Sequence, residues 1–263
     1  MKRSTGVAAL FLLYATLCYA ALAGTLLLAV LFLGNFGDSF GPIRLLGRAT
    51  PTPAGRALAI DLALVALFGL QHSVMARPDF KRLTARWLPA PIERSTYVLL
   101  SCLLLALTFW QWRSIGGVIW QVETPSLRML LQATAVAGGV LAVGGSFAID
   151  HFALFGLRQA WLHLRGKPPA AERMSTPGPY RWVRHPLYTG WLLAVWAAPT
   201  MTTTRLIFAL LTTGYLLVGV RLEERDLTRR HAGYAAYRRR VPMLFPHPWS
   251  EGSRRMRAGG PRA

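Results

Sequence analysis

Cysteine is nearly missing: only Cys18 and Cys102 occur in 263 residues, each inside a long apolar run, so neither a disulfide framework nor a CxxC metal centre is available. Acidic residues are scarce too, with 11 Asp plus Glu against 30 Lys plus Arg and a formal net charge of +19. That imbalance fits nucleic acid, an acidic partner or anionic lipid. No P-loop, GxGxxG or internal repeat is present; "AGGVLAVGG" at 137–145 has the wrong spacing and reads as small residues that let membrane helices pack closely.

Apolar residues are abundant, at 53% of the chain. They gather in runs at 7–33 and at about 57–76, 96–112, 127–149, 187–199 and 204–220. Such runs select lipid rather than nucleic acid as the surroundings of this basic chain. The first run carries Ala21-x-Ala23, the pattern of a signal-peptide cleavage site, yet its length exceeds the roughly 20 residues that span a bilayer. It reads as an uncleaved, tilted span. Inside a bilayer every backbone donor and acceptor needs a partner, and no closed-barrel alternation is visible, so each run is expected to be helix.

The expectation is an all-α integral membrane protein with five to six transmembrane helices. The last two form a C-terminal helical hairpin parted by "PTMTTT", followed by a cytosolic amphipathic helix over 223–240. "VPMLFPHPW" then lies back on the membrane or the protein, and a basic tail from 251 is disordered. The domain reading is a four-span region at 1–149, a core at 150–250 and the tail at 251–263.

Lys and Arg in the short loops set orientation. Arg77, Lys81, Arg82, Arg86 and Arg94 crowd the 77–95 loop, and further cations fill 150–186 and the tail from Arg221. The alternate segments are poorer, holding Arg44, Arg48 and Arg56, then Arg113, then Arg205. The rich segments fall on one side only if both termini are cytoplasmic.

That topology brings Gln71, His72, Asp150, His151, Arg184, His185, Glu223 and Glu224 to one face, whereas Asp61 is the lone acid in the outer half of a span. Ionisable groups near membrane depth mark a functional site by default. The same charges at helix ends also fit simple solvation. In "TPGPYRWVRHPLYTGWLL", 176–193, a residue before proline is pushed out of the α region, so His185 is held extended while Pro186 opens a helix. His72 and His151 form a candidate haem pair, but Gln71 and Asp150 beside them are polar. His72, Asp150, His151 and His185 reach a zinc ligand count without any supporting spacing, so no metal site is assigned.

"GPYRWVRHPLYTGW", "RLEERDL" and "YAAYRRRVP" together resemble the isoprenylcysteine carboxyl methyltransferase family, whose blocks run GxYxxxRHPxYxG, EExxL and YxxYxxxVP. "LQHSVMARPDFKR" and "IERSTYVLLS" are similar to the membrane family named for nitric-oxide-related function in denitrifiers. The combination, with "HFALFGLRQAWLHLRG", resembles the bacterial methanethiol S-methyltransferases over nearly the whole chain. This resemblance implies a bacterial inner-membrane enzyme that uses S-adenosylmethionine. It puts Tyr180, His185, Pro186, Leu187, Tyr188 and Glu223 on cofactor-contact positions, with Glu224 completing the acidic pair and 172–175 a further such segment. Gly219 departs from the isoprenylcysteine enzymes, which place a substrate-contacting arginine there; in "HAGYAAY" the glycine adjoins Tyr234 rather than preceding it by several residues.

A sulfonium donor suits a carboxylate such as Glu223 and aromatic faces such as Tyr180, Trp182 or Tyr188. A thiol acceptor must reach its anion, and an alkanethiol is a weaker acid than cysteine, whose pKa is about 8.5. His72, His151 and Arg184 are candidates to assist, with Asp150 orienting a histidine. The expected acceptor is methanethiol, giving dimethyl sulfide, with hydrogen sulfide a poorer one. The alternatives are a prenyl or lipid thiol or carboxyl methyltransferase, and a non-enzymatic haem-binding or accessory membrane protein. The cation asymmetry predicts that single cysteines placed in the 77–95 loop or after Arg221 stay unlabelled by an impermeant thiol reagent in intact cells; labelling of that loop contradicts the orientation.

Overall fold

The protein is described here from a computed structural model covering residues 5–34, 52–168 and 176–246. The expectations for the tail 251–263, for 172–175 and for Arg44 and Arg48 lie outside the described residues. Among the described residues, five helices are long and apolar enough to cross a membrane: α1 (Thr5–Gly34), α2 (Ala54–Met75), α4 (Ala90–Gln111), α5 (Pro125–Ile149) and α9 (Thr203–Arg230). Between and after them come α3 (Pro78–Thr84), α6 (His151–Leu154), α7 (Leu157–Leu164), a 3-10 turn (Gly178–Arg181), α8 (Pro186–Trp196) and α10 (Tyr234–Arg240). Proline opens α3, α5 and α8, where its missing N–H has no intrahelical partner to lose. Leucines such as Leu10, Leu13 and Leu17 along α1 are exposed, the arrangement expected when lipid replaces a protein core outside the bundle.

The chain divides into two compact units. The first gathers α1 to α4, α7 and the opening turns of α9. There α1 and α2 both pack on α4, and α7 lies against α1 and α4. One end is filled by aromatics: the Phe32 ring stands 4.7 Å from Phe109 and 5.2 Å from Phe208, and Trp112 is 5.0 Å from Phe208. Asp61, fully buried, accepts the Arg113 backbone N–H on Oδ1 at 2.8 Å, while its Oδ2 is buried without a hydrogen-bond partner among the described residues. Gly156, at φ +94°, allows the turn before α7 to press on Ser95, whose nitrogen would lie 2.6 Å from an added Cβ.

A two-stranded antiparallel ribbon departs from the all-helical expectation. β1 (Val118–Gln121) pairs with β2 (Thr200–Thr202) in the register Val118↔Thr202, Trp120↔Met201, Gln121↔Thr200. "PTMTTT" was read as a plain hairpin turn; half of it is a strand whose partner lies some eighty residues back, a pairing that local pattern does not announce.

The second unit holds α5, α8, the rest of α9 and α10. α8 packs antiparallel along α5, and glycine makes this possible. A Cβ on Gly138 would lie 2.6 Å from the Gly190 carbonyl oxygen and 2.8 Å from the Ala194 nitrogen; one on Gly190 would meet the Ala142 nitrogen at 2.5 Å. Leu187 and Pro186 fill the space over Gly145. The run at 187–199 therefore differs from the full-length span expected of it. Its helix has only 11 residues, a rise of about 16 Å against roughly 30 Å of hydrocarbon. Non-helical residues 197–199 continue to the entry of α5, where the Pro199 carbonyl accepts the Val122 N–H at 2.9 Å.

The expected amphipathic helix at 223–240 is also redrawn. α9 continues unbroken to Arg230, because 221–230 contains neither Gly nor Pro and is rich in good helix formers; the chain turns only around Gly233 before α10. The close α5–α8 approach predicts that Gly190→Ala costs about 1–3 kcal/mol through overpacking, read as a lower thermal unfolding midpoint of the purified protein. An unchanged midpoint contradicts this packing.

Candidate active site

Within the second unit, Pro186 fixes the start of α8 and leaves His185 as its non-helical cap at φ −128° and ψ 66°. The main chain beside it is bound to residues after α10: Arg184 N–H donates to Pro242 O at 2.9 Å and His185 N–H to Met243 O at 3.2 Å. The Thr189 hydroxyl adds a third tie, to Leu244 O. The RHPLY loop and the VPML segment thus hold one another across about sixty residues of sequence.

Their common anchor is Glu224 on α9, a carboxylate that is 4% exposed. Its Oε1 accepts Arg184 Nε at 2.6 Å, His185 Nε2 at 3.2 Å and the Tyr234 hydroxyl at 3.4 Å, while Arg238 Nε stands 3.3 Å from Oε2. Arg184 Nη1 donates to the carbonyls of Arg238, at 3.0 Å, and Val241. The guanidinium expected beside a thiol is therefore buried and engaged by protein acceptors. A second lock comes from the Tyr237 hydroxyl, which donates to Tyr180 O at 2.6 Å. Tyr234, Tyr237 and Arg238 were not singled out from the sequence, although the YxxYxxxVP block that carries the two tyrosines was visible.

Glu223 is one residue away and behaves differently, since adjacent helical residues point about 100° apart. Its side chain is 43% exposed, accepts the Tyr188 hydroxyl at 2.8 Å and lies 3.9 Å from His185 Nδ1. The His185 and Tyr188 rings stack with centroids 5.4 Å apart. Of the predicted cofactor contacts, His185, Tyr188 and Glu223 thus touch one another, His185 itself being buried; Pro186, also buried, and Leu187 lie on the same opening turn, and Tyr180 is fixed through its carbonyl. Burial, reinforced by the neighbouring Glu223, raises the Tyr180 phenol well above its ordinary value. Burial and Glu224 do the same to Tyr234, and burial pushes Tyr237 up to about 12. All three remain hydrogen-bond donors at neutral pH and none is a base.

Asp150 ends α5 in a strained backbone conformation at φ 121°, turning the chain so that His151 folds back on α5. The His151 ring lies flat on Phe147, with centroids 3.9 Å apart, and its Nδ1 is 2.6 Å from Ser146 Oγ. Ser146 Oγ in turn donates to Val143 O at 2.6 Å. With that one hydroxyl proton committed, Nδ1–H is the donor to Ser146 and Nε2 carries the lone pair. Burial lowers the His151 pKa, which keeps the ring neutral. His72 belongs to the first unit: the Tyr97 hydroxyl is 2.8 Å from its Nε2, Ser101 Oγ is 3.2 Å from its Nδ1, and Phe68 stacks on the ring at 5.2 Å. Gln71 accepts from Ser101 at 3.3 Å and completes this polar cluster. Among the described residues, no group of three His, Cys, Asp or Glu converges as a metal site.

Residues 146–229 match the isoprenylcysteine carboxyl methyltransferase (ICMT) family. Over 236 residues the chain is 47% identical to methanethiol S-methyltransferase 2 of Bradyrhizobium diazoefficiens, covering 89% of each protein. It is 44% identical over 236 residues to the methanethiol S-methyltransferase of Crocosphaera subtropica, covering 89% of this chain and 91% of the relative. With the enzyme of that name from Mycobacterium tuberculosis it shares 45% identity over 239 residues, 89% of this chain and 97% of the relative. No solved structure matches the chain.

Proposed function

We propose, since the chain belongs to the methanethiol S-methyltransferase branch of the isoprenylcysteine carboxyl methyltransferase family, that it is an integral-membrane enzyme transferring a methyl group from S-adenosylmethionine to methanethiol to give dimethyl sulfide. The observation that carries the donor assignment is the pair of adjacent carboxylates, one saturated by protein and one open. An exposed carboxylate set by a tyrosine hydroxyl, beside stacked aromatic rings, fits a sulfonium cation. When bound there, S-adenosylmethionine supplies an electrophilic methyl group.

Glu223 counters the donor's positive charge, while His185, Pro186, Leu187, Tyr188 and Tyr180 shape the wall against it. Glu224 and Arg184 act as positioning residues: they fix the RHPLY loop and α10 so that the wall does not need to reorganise on binding. The thiol proton requires an acceptor. His151 Nε2 is the favoured one, since Ser146 sets its tautomer and burial keeps it neutral; Asp150 supplies the turn that places it.

A small acceptor agrees with Gly219, which leaves that position of α9 without the arginine of the isoprenylcysteine enzymes. The membrane orientation proposed is the bacterial inner membrane with both termini cytoplasmic. It is supported by the cation asymmetry of the loops.

Purified full-length protein given methyl-labelled S-adenosylmethionine and methanethiol is expected to release labelled dimethyl sulfide. Glu223→Gln should weaken cofactor binding about tenfold or more without lowering the unfolding midpoint, through loss of a charged contact at a half-exposed side chain. His151→Ala should lose turnover with cofactor affinity retained. Methylation of a farnesylcysteine analogue without dimethyl sulfide replaces the acceptor, and wild-type cofactor affinity in Glu223→Gln overturns the donor site.

A further inference from the structure

α9 leaves its apolar stretch at Val220 and immediately presents Arg221, Arg225 and Arg229, spaced four residues apart and so stacked on one face. Glu223 lies on another face of the same helix, so this row is not part of the wall described above. Together with Arg238 from α10, Glu224 and Thr228, the three arginines line a pocket of about 320 Å³. Four guanidiniums face one carboxylate there, and that carboxylate already accepts from Arg184, His185 and Tyr234. The Thr228 hydroxyl is also occupied, donating to Glu224 O at 2.7 Å. Among the described residues, no carboxylate pairs with Arg221, Arg225 or Arg229. Like charges at four-residue spacing repel one another along a helix, so the row is relieved by an anion from outside the chain.

Guanidinium forks match tetrahedral oxyanions through paired N–H···O bonds, which makes phosphate the chemical class that this lining recognises. The position of the row selects the source. From Arg221 to Arg229 the helix rises about 12 Å, starting where the hydrocarbon-compatible part of the span ends; that is the depth of the lipid headgroups and the layer just above them. We propose that the pocket lined by Arg221, Arg225, Arg229 and Arg238 binds the phosphodiester of an anionic phospholipid headgroup. Arg238 joins this pocket to Glu224, so a bound headgroup also braces α10. The inference does not depend on the methyl-transfer reading.

The test is a native mass spectrometry titration of detergent-solubilised full-length protein with phosphatidylglycerol, phosphatidylcholine and inorganic phosphate. Wild type is expected to retain one phosphatidylglycerol far more tightly than phosphatidylcholine. Arg225→Gln with Arg229→Gln should weaken that binding about tenfold or more, each lost contact being a charge-assisted hydrogen bond. Arg82→Gln with Arg86→Gln removes the same charge outside the pocket and should leave the binding unchanged, which separates a site from general attraction to a chain of net charge +19. Equal retention of the two lipids, or equal weakening by both double variants, overturns the site. Displacement of the lipid by inorganic phosphate at matched concentration overturns the lipid as its ligand.

Discussion

The proposed cofactor wall depends on one buried carboxylate. Removing Glu224 from water is costly, and in isolation its charge would not persist there; it does so because Arg184, His185, Tyr234 and Arg238 bring donors to both of its oxygens. Such an arrangement is weak as a source of net stability but strong as a geometric constraint. Its donors come from the loop before α8, some forty residues away, and from α10, the next helix along the chain, while the acceptor sits on α9, so three elements are fixed by one side chain. The backbone ties from Arg184 and His185 to Pro242 and Met243 then reproduce the same registration without charge.

That constraint gives the Glu223–Glu224 pair a division of labour. A helix turns adjacent side chains apart, so a doubled acid presents one carboxylate inward and one outward. The inward one is consumed by protein; the outward one accepts from Tyr188 and stays about half exposed, as the proposed contact to a cationic ligand requires. The same unit needs α8 to lie against α5 closely enough for Pro186 and Leu187 to rest on Gly145. Glycines at 138, 145 and 190 provide that approach on one side of the 11-residue helix, while Leu192, with Tyr188, Trp191 and Trp196 around it, packs on Leu216 and Val220 of α9 and on Leu244.

Much of this was legible from sequence. Each long span contains its apolar run almost entirely, because in lipid hydrophobic length and helical backbone satisfaction are the same requirement, although α4 begins six residues before its run and α9 continues ten residues beyond it. The RHPLY loop was legible because proline restricts both itself and the residue before it. What escaped notice rests on non-local contacts. The β1–β2 ribbon joins two short segments through backbone hydrogen bonds that leave little composition signal, and α8 reads as a full span by hydropathy although its last residues are not helical. Arg184 is a candidate thiol-assisting cation in the sequence, and only the fold reveals its bonds to Glu224 and to the carbonyls of Arg238 and Val241. Likewise Ser146, which sets the tautomer of His151, is an ordinary small residue of a membrane helix when read alone.

The central claim is that Arg184 and Glu224 act on the cofactor wall through one shared contact. A double-mutant cycle on S-adenosylmethionine affinity, measured calorimetrically for Arg184→Met, Glu224→Met and the combination, addresses it directly. Each single change should weaken binding, and the double variant should bind no worse than the weaker single one, since the contact can be lost only once. Effects that add within about 0.5 kcal/mol would show the two residues acting independently and would contradict the account.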